Sequence, residues 1–202
     1  GDYTCTVTDD NSCTTTESVT ITELAAIVTA SSSQTNVNCN GASTGAAAIS
    51  VSGGNGTYTY TWSHDNTNNT ASAASLPAAT YTVSVVDGHN CPDDGDVSFV
   101  ITQPASAVSA SSTSVNVNCN GGTTGSIDLT AQGGTEAGTY DFSWVNDATP
   151  GTVIATTEDL SNLAAGDYTC TVTDDNSCTT TESVTITQPA TAVSASSTSV
   201  NV

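Results

Sequence analysis

Seven cysteines and twenty carboxylates carry the chemistry open to this 202-residue chain, which has no lysine and no arginine. No two cysteines are spaced C-x-x-C, the pattern of zinc knuckles and redox dithiols, so they read as disulfide formers in an oxidising compartment. The carboxylates gather in turns: Asp9 and Asp10, their copies Asp174 and Asp175, and the group Asp93, Asp94 and Asp96. Two chemistries suit them. Asp beside Asn and Gly favours hairpin turns, and the same oxygens are hard ligands for Ca²⁺. No EF-hand spacing is present, and calcium is the one cofactor these residues suggest. Catalysis has less to build on. His64 and His89 are isolated, no H-E-x-x-H or Ser–His–Asp order occurs, and no lysine exists to act as base or nucleophile. The chain is expected not to be an enzyme.

The formal charge of -20 narrows the partners. Without cations there is no phosphate clamp and no counterion release, which excludes nucleic acid. An anionic membrane surface repels the chain for the same reason. No apolar run approaches the length of a membrane span. Self-repulsion favours an extended, soluble array.

These residues are placed by an internal repeat. Residues 1–23 recur at 166–188 with Glu23 exchanged for Gln188, and 104–117 recur at 189–202 with Ser106 exchanged for Thr191. Between them, 24–103 and 104–188 align as divergent copies: VNCNGASTG (37–45) with VNCNGGTTG (117–125), YTYTW (58–62) with YDFSW (140–144), and LPAATYTVSVVDGHNC (76–91) with LAAGDYTCTVTDDNSC (163–178). The expected organisation is the C-terminal part of one repeat (1–23), two complete repeats (24–103 and 104–188), and the first strand of another (189–202). It reads as a window on a longer array.

Apolar residues alternate with polar ones at period two, the signature of half-buried strands. Ile127, Leu129 and Ala131 form one inward face, Tyr140, Phe142 and Trp144 the next, then Leu160 and Leu163, then Tyr168, Cys170 and Val172, and finally Val184 and Ile186. The first repeat offers Ala47, Ile49 and Val51, then Tyr58, Tyr60 and Trp62, Leu76, then Tyr81, Val83 and Val85, with Phe99 and Ile101 last. About seven strands per repeat with a tryptophan on the third predict an all-β chain of tandem Ig-like β-sandwiches. Trp62, Trp144, Tyr81 and Tyr168 are the expected core anchors. Tyr168, two residues before Cys170 and just after a tight Ala-Ala-Gly corner, fits a tyrosine corner. No cysteine on the second strand completes an Ig-type bridge, so Cys5 and Cys170 read as small buried hydrophobes.

The remaining cysteines leave alternatives open. Each full repeat has one before its second strand and one at its last hairpin, which allows Cys39–Cys91 and Cys119–Cys178 within repeats, Cys13 then having its partner outside the chain. End-to-end stacking of repeats instead brings Cys39 to Cys178. Free thiols are the third state.

Taken together, C-N-G-x-x-x-G, a Gly-Gly turn, an aromatic strand ending in Trp, L-x-A-G-x-Y and a closing I-T-Q-P resemble the SprB-type repeat of giant surface adhesins in gliding Bacteroidota. The resemblance covers both full repeats and both flanking pieces. It implies an exported protein of the cell surface with a structural or adhesive role. The partners it suggests are neighbouring repeats of the same chain, identical chains packed into a fibre, or a surface glycan. It carries over no catalytic or ligand residue.

Overall fold

A computed structural model describes residues 1–93, 95–135 and 139–199; Asp94, one of the candidate calcium ligands, lies outside them. Strands and turns make up this structure, with no helix among the described residues. Two compact units form, one from Gly1–Thr35, Ala46–Ala74 and Ala79–Ile101, the other from Asn36–Gly45, Ser75–Ala78 and Thr102–Val202. The units therefore do not follow the repeat boundaries: the loop around Cys39 belongs with the second unit.

The N-terminal residues make a two-stranded hairpin of β1 (Asp2–Thr8) and β2 (Thr14–Thr20), paired Cys5 to Glu17. The first full repeat follows with β3 (Val28–Thr35), β4 (Gly45–Ser52), β5 (Tyr58–Trp62), β6 (Ser72–Leu76), β7 (Ala79–Asp87) and β8 (Val97–Ile101). These strands form two three-stranded sheets, ordered β3–β4–β6 and β5–β7–β8. The second repeat builds β9 (Ser109–Val115), β10 (Gly125–Gln132), β11 (Asp141–Asn146), β12 (Val153–Ala155), β13 (Leu160–Leu163), β14 (Gly166–Thr173) and β15 (Thr179–Ile186). Its sheets run β13–β10–β9 and β12–β11–β14–β15, a three-on-four antiparallel sandwich. This is the Ig-like arrangement the alternation predicts.

Inward faces follow the period-two reading. Trp144 is fully buried and pairs across the sheet with Cys170, as Trp62 pairs with Val83. Each indole donates its Nε1–H to a backbone carbonyl, Trp62 to Thr70 at 2.9 Å and Trp144 to Thr157 at 3.0 Å. The indoles thus bury their area without stranding a polar group. Tyr81 and Tyr168 are buried, and the Tyr168 hydroxyl donates to the Ala164 carbonyl at 3.1 Å, closing a tyrosine corner. Phe99 stacks on Trp62 at 5.8 Å between ring centroids. Tyr58 and Tyr140 each reach back to a glycine carbonyl, Gly53 and Gly133, at 2.7 Å.

Those glycines open the Gly-Gly turn, where the backbone requires them. Gly133 has φ +80° and a Cβ there would overlap the Ala107 carbonyl oxygen; Gly53, at φ +89°, meets Ala26 in the same way. Backbone passes too close for a side chain, and the left-handed φ disfavours one as well.

Cys170 is fully buried, and that burial pushes its thiol pKa up. Cys5 is a correction: it is exposed. Its hairpin repeats the sequence of β14 and β15, yet no facing sheet covers it among the described residues. Tyr3, Val7 and Ile21 are accordingly 62%, 60% and 56% exposed, where Tyr168, Val172 and Ile186 are buried. Residues 189–199 repeat the sequence leading into β9 but form no strand.

Candidate functional site

Two loops, each present in both repeats, carry Cys39, Cys91, Cys119 and Cys178. The first is the Asn-Cys-Asn-Gly loop. Asn40 donates its Nδ2–H to the Pro104 carbonyl at 2.8 Å, and Gln103 Oε1 accepts the Gly41 N–H at 2.8 Å. Asn36 Oδ1 accepts from Thr102 N–H, and Asn38 N–H donates to Thr44 Oγ1. The second repeat has the same set: Asn120 to Pro189 at 2.8 Å, Gly121 to Gln188 at 2.7 Å, Thr187 to Asn116, and Asn118 to Thr124. The I-T-Q-P sequence is therefore the clasp of the C-N-G loop. Composition gives Gln103 and Gln188 no weight as site residues; only their recurrence at a fixed distance from C-N-G could have pointed to them.

The second loop is the acidic turn, Asp-x-x-x-Cys. Asp174 is 4% exposed and its carboxylate is fully engaged. Oδ1 accepts the N–H groups of Asn176 at 3.0 Å and Cys178 at 2.8 Å, and Oδ2 accepts from Thr135 at 2.9 Å. Asp87 is the equivalent in the first repeat, 2% exposed, accepting from His89, Cys91 and Asn55. Asp87 is not one of the clustered acids, and only its four-residue spacing to Cys91, which matches Asp9 to Cys13 and Asp174 to Cys178, marks it in the sequence. Asp9 caps its own exposed turn through Asn11 and Cys13.

These bonds account for the acids as turn builders. Asp174, one of the calcium candidates, has both oxygens engaged by backbone donors. Asp175 accepts from Thr139 at 2.9 Å, and Asp10 and Asp96 are exposed. Among the described residues no three His, Cys, Asp or Glu side chains converge to hold an ion.

Burial acts on the Asp174 carboxyl most strongly and raises its pKa, but the N–H donors of Thr135, Cys178 and Asn176 together outweigh it and hold the pKa below the ordinary range. Asp87 is held low chiefly by the Cys91 N–H. The folded state therefore binds fewer protons than the unfolded chain near pH 4. The resulting stability is complete above the unfolded value of about 3.9 and is lost as pH falls through the lower folded value. Urea unfolding of the second unit, followed by Trp144 fluorescence, is expected to weaken steadily from about pH 5 towards pH 2. Asp174→Asn puts an N–H among N–H donors, so it lowers stability at neutral pH and flattens the acid dependence. An unchanged acid slope in that variant would refute the assignment.

The bridge joins these two loops. Cys39 and Cys178 form a disulfide with 5.7 Å between Cα atoms and a sequence separation of 139. Asn176 Nδ2 donates to the Asn38 carbonyl at 3.2 Å beside it. The within-repeat pairings are corrected: Cys39 is not bound to Cys91, nor Cys119 to Cys178, and Cys13, Cys91 and Cys119 are free and exposed. The Cys39 loop is held in the second unit beside the Cys178 turn, within disulfide reach.

The aromatic rows offer no exposed ladder. Trp62 and Trp144 are buried, and Tyr58, Tyr60, Tyr140 and Phe142 are half-buried. His64 packs edge-on against Tyr81 at 5.1 Å.

Two stretches, residues 31–67 and 111–149, match the family model described as SprB repeat. The chain is similar to a solved structure titled "Structure of amphioxus IgVJ-C2 molecule", at 18% identity and a TM-score of 0.32, covering 79% of this chain and 98% of that one. No curated protein matches it. Each family match starts in the first strand of a full repeat, β3 or β9, and ends just past its tryptophan strand. The chain is thus similar to the SprB repeat at two places, once in each full repeat.

Proposed function

We propose that this chain is a non-catalytic, load-bearing segment of an extracellular stalk or fibre at the cell surface, with its neighbouring repeats as principal partners. The observation that carries the reading is the Cys39–Cys178 bridge, which closes 139 residues of sequence across two repeats. Disulfides persist outside the reducing cytosol. The absence of lysine and arginine keeps nucleic acid from the partner set, and the negative charge keeps the array soluble and extended. SprB-type repeats belong to surface adhesins, which fits the same role.

Pulling the chain by its ends tests this. With the bridge intact, the residues between Cys39 and Cys178 are shielded from load. Reduction then releases roughly 470 Å of further extension, at ~3.4 Å per residue over the bridged separation of 139. An oxidised chain that yields its whole contour length without reductant would overturn the stalk reading.

A further inference from the structure

The bridged site has three parts: a clasped loop, an apolar wall and an acidic turn. Thr102, Gln103 and Pro104 clasp the Cys39 loop where its own repeat runs into the next. Ala107 and Val108 follow a few residues later, and with Gly134 and the Cys178 turn they line a groove of about 340 Å³ that holds Cys39 and Asn40. Cys178, braced by Asp174, takes the bridge.

Parts of the same site recur at both ends of the pair of repeats. Asn118-Cys119-Asn120-Gly121 is clasped by Thr187, Gln188 and Pro189 through the same bonds, and it lies against Ala192 and Val193 in a cleft of about 230 Å³. The clasp alone therefore brings the loop to the Ala-Val wall of the segment that follows. At the start of the first full repeat, wall and turn are present: Ala26, Ile27, Gly54, His89 and Cys91 line a groove of about 430 Å³. Gly54 N–H donates to Ala25 O as Gly134 N–H donates to Ser106 O, and Asp87 braces Cys91 as Asp174 braces Cys178. Glu23 and Leu24, at the places of Gln103 and Pro104, line this groove too.

We propose that every C-N-G loop of the array is bonded to the acidic turn of the repeat that follows it in the same chain. Cys91 then takes the loop of the repeat whose last strands are 1–23, and Cys119 takes the turn of the repeat that opens at 189. The inference deepens the stalk reading and rests on it for neighbouring repeats as partners. Its mechanical consequence is overlap. Residues 119–178 fall inside both Cys39–Cys178 and the bridge from Cys119, so no residue between the first and last bridges lies outside a bridged span.

The clasp commits the Cys91 groove to this occupant. Thr22, Glu23 and Leu24 offer the carbonyl, side-chain and carbonyl oxygens that Thr102, Gln103 and Pro104 offer the Cys39 loop. Glu in place of Gln keeps the acceptor for the glycine N–H and adds charge assistance. His89 stands where Asn176 donates to the Asn38 carbonyl. Its Nδ1 faces Asn55 Nδ2 at 3.0 Å, which leaves Nε2–H for the equivalent carbonyl of the incoming loop. A loop clasped in its docked shape also lowers the ordering cost. Bond formation needs an oxidant of the small-molecule disulfide class, such as oxidised glutathione. One cysteine thiolate attacks the reagent disulfide and expels one thiol; the other then attacks the mixed disulfide and expels the second. Two protein thiols become one disulfide, and the reagent leaves as two thiols.

The test extends the whole chain by placing residues 104–165 directly before Gly1. Since 1–23 repeats 166–188 with one exchange, this rebuilds a complete repeat ahead of the first. The chain is oxidised in a glutathione buffer and mapped with a protease that cleaves at acidic residues, since trypsin has no site. Expected is a bridge between the Cys91 peptide and the added C-N-G loop, with Cys39–Cys178 kept. Thiols open to alkylation after unfolding fall by one from the present five, although the extension brings a cysteine. Serine in place of the added loop's cysteine abolishes the new bridge, and Cys119→Ser leaves it intact. Cys5 becomes resistant to alkylation in the native state, which reports that the added strands cover its hairpin. A free Cys91, a bridge from the added loop to Cys13 within one repeat, or a Cys91–Cys119 bridge would each overturn the proposal. The native full-length polypeptide is mapped in parallel, and a free Cys91 there overturns it equally. Each of these results leaves Cys39–Cys178 in place, so the stalk reading fails or stands separately, on the pulling experiment.

Discussion

Cys178→Ser lowers the unfolding free energy of the second unit by about 4 kcal/mol, and reduction of the native chain has nearly the same effect. The bridge spans a sequence separation of 139. In the chain-entropy model a closed loop of that size restricts the unfolded ensemble by about 5 kcal/mol, while measured losses on removing native bridges run from about 2 to 5. Serine nearly preserves the volume of a half-thiol, so the loss comes from the cross-link rather than from a cavity. For a unit near one hundred residues, a shift of about 15 °C or more in Tm follows. The two units supply their own control, since Trp62 lies in the first and Trp144 in the second. In single-tryptophan variants, each containing Phe at the other site, the transition reported by Trp144 moves and the one reported by Trp62 holds. Equal movement of both would show that the bridge stabilises something other than the second unit.

Trp144→Ala removes about 3–5 kcal/mol from the second unit. The indole is 0% exposed at the centre of a core that includes Ile127, Leu129, Tyr168, Cys170 and Val172. Truncation leaves a large apolar void and frees the Thr157 and Glu158 carbonyls, which the indole N–H meets at 3.0 and 3.3 Å. Small sandwiches rarely have more than about 5–15 kcal/mol in all, so this single change consumes much of the margin. Trp144→Phe separates the two contributions: it keeps most of the packing and loses chiefly the hydrogen bond, about 1 kcal/mol. Urea midpoints followed by far-ultraviolet circular dichroism measure both. If Phe proved as damaging as Ala, the hydrogen bond rather than the packing would be the main support.

The fold was legible because its signals are local. Alternation in Tyr168, Cys170 and Val172 needs nothing beyond the period of a strand to place all three inward, and all three are buried. Tyr168 could be read as a corner from the short turn before it. The acidic turns were recognisable as hairpin chemistry, but the caging role of Asp87 and Asp174 was not. A carboxylate that accepts three backbone N–H groups looks, in sequence, like one free to bind calcium. Thr135, whose N–H reaches Asp174, is 39 positions away.

Strand identity, inward faces, the glycine turns and the acidic caps were determined by the sequence itself, because each follows from the stereochemistry of a few neighbouring residues. Burial and pairing were decided only by the tertiary structure. Nearly the same 23 residues form an exposed hairpin at the N-terminus and the buried heart of a sandwich at 166–188. Nearly the same segment becomes strand β9 at 109–115 and no strand within 189–199. Each difference reflects whether β10 or a facing sheet is at hand to take up backbone hydrogen bonds and apolar area. The cysteines obey the same logic: spacing offered several partners for Cys39, and only the placement of its loop against the 174–178 turn selected Cys178.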